Sequence, residues 1–199
     1  MTFPVDALFE RELAVGVALW DVSHLLPTHK TKRYRNREPE TIDRVFVHHS
    51  GAMGKSGFEG LYASSRYTVR SRGWPGFAYT FWIQSGSPDQ VDRDPYGRLV
   101  VYRGNLDKTR SYHTGGRAND VGVGVALQGN TTSKPLTWSH LESLEALLPA
   151  IPNMYPNIVY PRGLGWHSIA ASMGAPKNKS ACPGKHAERF LVRYKNDQS

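Results

Sequence analysis

After Arg44 the chain runs Val45-Phe46-Val47-His48-His49, a near-continuous stretch of β-branched and aromatic residues that closes on two imidazoles. A strand of this kind has no polar face to offer water, so both of its sides must be covered. Gly122-Val123-Gly124-Val125-Ala126-Leu127-Gln128-Gly129 repeats the pattern, with glycines that let a backbone or a ligand approach closely. Buried strands with helical stretches between them require layers. The expected fold is an α/β (α+β) single domain with a central mixed β-sheet flanked by three main helices. At 199 residues one sizeable core suffices. Residues 1–40 are expected to form an N-terminal extension packing on that core, and 41–199 the main domain.

The remaining elements follow from periodicity. Leu13 to Trp20 is a short apolar patch expected as one strand or short helix on the core. Phe58, Leu61, Tyr62, Ser65 and Val69 fall on one helical face, and Gly73-Trp74-Pro75-Gly76 breaks that helix. Residues 77–83 predict a central strand with Tyr79, Phe81 and Ile83 on one face. Residues 90–93 and 99–103 predict a pair of short strands. Thr137 is a candidate N-cap for a helix with Trp138, Leu141, Leu144, Leu147, Leu148 and Ile151 inward, which Pro149 and Pro152 should end. A short strand at 164–167 and a last helix after Gly184 complete the chain.

The formal net charge of +8 implies attraction to a polyanion. The densest run, Lys30-Thr31-Lys32-Arg33-Tyr34-Arg35-Asn36-Arg37, has the plain reading of a solvated loop. No nucleic-acid motif accompanies it, so no specific nucleic-acid partner is expected. No apolar stretch approaches the roughly 20 residues of a membrane span. The N-terminus lacks the basic start and apolar core of a secretory signal, so synthesis in the cytoplasm is expected. Cys182 is the only cysteine, which excludes an internal disulfide and leaves it for metal or packing.

Neutral imidazole and thiolate are the ligand types zinc prefers, and the His48-His49 pair, His167 and Cys182 offer them. Three protein ligands leave a fourth position for water, which is hydrolase chemistry. On strand alternation Phe46 and His48 share a face while His49 points the other way, so the two imidazoles do not both reach one ion. Taken singly, a histidine at a strand end is more often structural, and a lone cysteine is usually a small buried hydrophobe. His113 lies in a loop just ahead of the Gly-Val strand, where rigid strands hold functional side chains.

Four motifs occur in one order: Val45-Phe46-Val47-His48-His49-Ser50; Gly73 to Phe81; Tyr112-His113 with Asp120-Val121-Gly122-Val123-Gly124-Val125; and His167 with Ala181-Cys182-Pro183-Gly184. Over residues 42–193 this order resembles the zinc-dependent N-acetylmuramoyl-L-alanine amidases of the peptidoglycan recognition protein and phage lysozyme type (amidase type 2). The resemblance implies Zn2+ held by His48, His167 and Cys182, with His49 outside the ligand set. It implies hydrolysis of the amide between N-acetylmuramic acid and L-alanine of peptidoglycan, as in a phage or prophage endolysin or a bacterial wall-lytic amidase. Tyr79 matches the strand tyrosine of catalytic members and would bond the water or the developing oxyanion. His113 would stabilise the oxyanion or pass a proton to the leaving amine.

The chain departs from the family pattern twice. The stretch from His167 to Cys182 is longer than usual, with residues 170–178 read as a lengthened loop. The slot two before the third ligand, often a Lys or Thr that assists catalysis, holds Ser180, with Lys179 one residue further back. Lys179 reaching in, Ser180 substituting, and the role being absent all stay open. Trp74, His113 and Ser180 are candidate substrate contacts, although core packing explains Trp74 and Trp166 equally well. The expected partners are peptidoglycan and the anionic cell wall, with the protein a monomer acting on the wall. The competing expectation is a peptidoglycan-binding module without catalysis.

Overall fold

The structure is a computed structural model that describes residues 3–51, 54–173, 175 and 180–198. Seven strands form one mixed sheet among the described residues: β1 (Leu8–Ala14), β2 (Val17–Asp21), β3 (Arg44–His49), β4 (Phe81–Ile83), β5 (Leu99–Arg103), β6 (Gly122–Leu127) and β7 (Leu164–Trp166). Their order is β1-β2-β5-β4-β6-β3-β7. β3 pairs in parallel with both β6 and β7, and β4 pairs in parallel with β6. The helices are α1 (Gly57–Arg70), the single turn α2 (Ala118–Val121), α3 (Trp138–Met154) and α4 (Lys185–Asp197).

Period-two alternation sorts the strand residues onto two cores. Val45, Val47, Phe81, Ile83, Val123, Val125 and Leu127 pack with Leu144, Leu147, Leu148 and Ile151 of α3 and with Ala187 and Leu191 of α4. Trp20, Trp82, Val100, Tyr102 and Ala126 pack on the other side with Leu61 of α1 and with Phe77. The central strands are covered on both faces, as their unbroken apolar runs require. α1 starts where the Asp92 carboxylate accepts the Phe58 N–H at 2.6 Å, a negative charge at the positive end of the helix.

Several elements depart from the sequence reading, each for a local reason. Residues 13–20 are not one element: Val15 and Gly16 turn the chain, with Gly16 at φ 80°, so that β1 and β2 form a hairpin. Residues 90–93 form no strand, because the Gln84 side chain takes the Asp92 N–H at 2.7 Å and the Asp92 carbonyl at 3.0 Å. Only the Arg93–Leu99 bridge survives there. The strand at 77–83 is regular only from Phe81, and the bends before it turn Tyr79 to the α1 side, opposite Phe81 and Ile83. Leu141 is exposed rather than inward.

α3 runs through both prolines to Met154. Pro152 has no N–H for the carbonyl of Leu148, four residues back. The Tyr160 hydroxyl supplies the missing donor at 2.9 Å. The carbonyl of Glu145, which Pro149 leaves unbonded, belongs to an exposed residue that water can serve. Tyr160→Phe should therefore lower the unfolding free energy in urea by about 1 kcal/mol, the usual net value of one hydrogen bond. An unchanged midpoint would show that the Leu148 carbonyl does not depend on Tyr160.

Candidate metal centre

His48 lies one residue before the end of β3, on the same face as Phe46, and is fully buried. His167 follows directly on β7, whose Trp166 is registered opposite Val47, so parallel pairing brings the two imidazoles to one level. Their ring centroids are 4.9 Å apart. The third residue arrives from the turn before α4. The Ser168 N–H donates to the Cys182 carbonyl at 2.8 Å, and the Thr131 hydroxyl bonds the Pro183 carbonyl. Gly184, at φ 89°, lies so close to Thr132 that a Cβ would fall 2.4 Å from its backbone nitrogen. Two separate segments, at Ser168 and at Thr131–Thr132, therefore seat the turn that carries the thiol.

One donor atom from each of His48, His167 and Cys182 lies within 4.8 Å of the others. Cys182 Sγ is 3.7 Å from His48 Nδ1. A tetrahedral ion bound at about 2.0–2.3 Å sets neighbouring donors about 3.3–3.6 Å apart, so two imidazoles and a thiol at this spacing fit zinc. The His49 N–H also points at Cys182 Sγ at 3.2 Å, a contact that favours the thiolate. Burial outweighs that contact and, with the Glu188 carboxylate adding to it, pushes the Cys182 thiol up to about 12. A divalent cation reverses that balance by deprotonating a coordinating thiol.

The opposite side of His48 is equally ordered. Its Nε2 is 3.3 Å from both His113 Nδ1 and the Thr114 hydroxyl, and these two are 2.7 Å apart. His113 Nε2 faces the Gly122 carbonyl at 3.1 Å. Because a carbonyl can only accept, His113 carries its proton on Nε2 and leaves Nδ1 bare toward His48. His48 then donates from Nε2, and its Nδ1 lone pair faces Cys182 and His167. Burial, followed by the electrostatic effect of the adjacent His113 imidazole, holds His48 well below the usual imidazole range. Burial and then the Arg37 guanidinium lower His113 to about 3. Both rings are thus held toward their neutral forms.

Tyr79 sits over the pair, its ring 5.1 Å from that of His48. Burial raises its phenol, so it stays protonated and able to donate. His49 turns away: its Nδ1 accepts the Thr131 N–H at 3.2 Å. The Ser180 hydroxyl accepts the Cys182 N–H at 3.2 Å and so shapes the turn that presents the thiol. Lys179 lies outside the described residues. Trp74 stands edge-on to Tyr112 at 5.8 Å, with Arg72 over its ring at 5.6 Å. Trp166 is a core residue, bonded through Nε1 to Glu188 at 3.1 Å. The expected lengthened loop begins as a 3-10 helix, His167–Met173, and of residues 174–179 only Ala175 belongs to the described ones.

Residues 38–185 match the family model of the N-acetylmuramoyl-L-alanine amidases (amidase type 2). The chain belongs to this family. No curated protein matches this amidase-family chain. Among solved structures it is similar to the endolysin N-acetylmuramoyl-L-alanine amidase LysCS from Clostridium intestinale, with 20% identity over 85% of this chain and 96% of that one and a TM-score of 0.55. It is also similar to peptidoglycan recognition protein LE in complex with tracheal cytotoxin, with 19% identity, 86% and 91% coverage and a TM-score of 0.63. Drosophila PGRP-LB gives 19% identity, 89% and 94% coverage and a TM-score of 0.61. At these identities the likeness establishes the amidase fold.

Sequence reasoning missed Thr114, Thr131 and Arg37. Only Thr114 carried a signal, as the neighbour of His113; the others reach the site from loops that no spacing rule connects. The seat around Gly184 yields a direct check. Gly184→Ala should cost about 1–3 kcal/mol of stability, because the backbone is left-handed there. It should also weaken zinc binding about tenfold or more, as lost support of a ligand does, measured by competition with a chromophoric chelator. Wild-type affinity in a folded variant would show that Gly184 does not position Cys182.

Proposed function

We propose that this amidase-family protein is a zinc-dependent N-acetylmuramoyl-L-alanine amidase of endolysin type that acts as a monomer on the bacterial cell wall. The observation that carries the reading is the convergence of His48, His167 and Cys182 within 4.8 Å, with Tyr79 beside them. Zinc bound there would polarise the scissile carbonyl and lower the pKa of the attacking water. Tyr79, kept neutral by burial, donates its O–H to the lactyl carbonyl oxygen, which would gain charge as water adds to the carbonyl carbon before the bond to L-alanine breaks. His113 has both ring nitrogens turned to protein partners, which favours a positioning role over delivery of a proton to the leaving amine. That delivery is assigned to Lys179, while the Ser180 hydroxyl, which accepts the Cys182 N–H, shapes the turn that presents the thiol.

Trp74, Tyr112 and Arg72 form an aromatic and cationic row reached by the loop that carries His113, and Trp74 is assigned to contact substrate from it. No helix among the described residues is long and apolar enough to cross a membrane. The exposed cations Lys30, Lys32, Arg33 and Arg35 supply attraction to an anionic wall, which salt should weaken.

Incubation with purified peptidoglycan should release new L-alanine amino termini without new reducing sugar ends. A chelator should abolish this release and added zinc restore it. Tyr79→Phe should retain zinc and bind substrate, yet turn over about 10²-fold more slowly, the usual cost of losing one such donor. Muropeptide binding by the zinc-loaded wild type without new amino termini would contradict the amidase reading and leave a binding module.

A further inference from the structure

Arg37 closes the basic run and lies just outside the residues that match the amidase family. Its neighbours in the run, Arg33 and Arg35, are exposed, but Arg37 is only 7% exposed. It forms no side-chain ion pair among the described residues. Of its donors, Nε goes to the Asp107 carbonyl at 2.7 Å and one terminal nitrogen to the carbonyls of Asn119, at 3.2 Å, and of Gly122, while the other terminal nitrogen is buried without a hydrogen-bond partner among the described residues. Placing a guanidinium in the interior against carbonyls alone is costly. A loop residue with no task beyond solubility would not be held this way.

The Gly122 carbonyl links Arg37 to the metal centre, because it also accepts the His113 Nε2–H. Two donors converge on one oxygen, and that oxygen decides which nitrogen of His113 carries the proton. The ring has little freedom to respond otherwise. A Cβ at Gly124 would lie 2.9 Å from it, so it rests directly on the β6 backbone. At Gly122 a Cβ would meet the Ala118 carbonyl at 2.6 Å and the Phe46 ring at 2.7 Å, so this backbone is confined as well. From the bare Nδ1 of His113 the order passes to the Thr114 hydroxyl and to His48 Nε2.

We propose that Arg37 is a positioning residue for the zinc centre: it fixes the Gly122 carbonyl, and through His113 and Thr114 it fixes the ring orientation in which His48 offers Nδ1 to the metal. The inference rests on the zinc reading of His48, His167 and Cys182. Residues that orient a metal-ligating histidine typically contribute about 10–100-fold in metal affinity.

The test is zinc affinity of the full chain by chelator competition, together with the visible spectrum of the cobalt(II)-substituted protein, which reports ligand geometry without any turnover. Arg37→Met should bind zinc about tenfold more weakly and shift the cobalt bands. Arg37→Lys, which keeps a charge and one donor, should recover part of the loss, and Arg33→Met on the same segment should change neither readout. Wild-type affinity and an unshifted spectrum in Arg37→Met, with only a lower unfolding midpoint of the metal-free protein, would overturn the proposal. If Arg37→Met does not fold, Arg37→Lys and Thr114→Val carry the test, and wild-type affinity in both overturns it. Absence of zinc binding by the wild type would refute the metal reading itself, an outcome distinct from unchanged variants of a zinc-binding wild type.

Discussion

Parallel pairing of β3 with β7 on one side and β6 on the other brings the candidate site together, since its residues are separated by up to 134 positions in sequence. The register Val47 to Trp166 sets His48 and His167 at one height. The register Phe46 to Gly124 places a residue without a side chain beside β3, and the His113 ring rests there. A one-residue slip of β3 would turn His48 toward α3 and α4 and present His49 to the site face instead. Such a slip would also move Val45 and Val47 out of the larger core, so the packing that stabilises the sheet also fixes the positions of the candidate ligands.

Within that frame the electrostatics follow from burial. His48, His113, His167 and Cys182 form a cluster whose members are each disfavoured from their charged forms by desolvation. Neutral imidazoles keep their lone pairs, and the main-chain N–H of His49 stands ready for a thiolate. The fold thus holds a donor set that a cation completes, with a protonated phenol beside it. Around this the Thr114 hydroxyl and the Gly122 carbonyl fix ring orientation, and the Thr131 hydroxyl holds the turn that carries Cys182. A metal site takes its precision from such partners.

The parts of the fold legible in the sequence were those where one local force dominates. β3 and β6 are apolar throughout, α1 and α4 are amphipathic, and each formed where its pattern placed it. Elements decided by a distant side chain were not legible. Gln84 took the backbone of Asp92 out of a ladder, Tyr160 let α3 pass Pro152, and a bend before Phe81 sent Tyr79 to the opposite face. The same division holds at the site. His48, His167 and Cys182 stand out by residue type and by their place in an ordered set of motifs. Arg37 resembles its exposed neighbours in every sequence property, and only the tertiary placement of the Gly122 carbonyl distinguishes it.

The central claim is that one zinc ion sits between two imidazoles and one thiolate. Zinc K-edge X-ray absorption of the purified, zinc-loaded chain tests it without reference to substrate or turnover. The expected spectrum fits one sulfur at about 2.3 Å and two imidazole nitrogens at about 2.0–2.1 Å, with a light-atom ligand in the fourth position. A fit without sulfur, or one unchanged in Cys182→Ser, would contradict the assignment of the site.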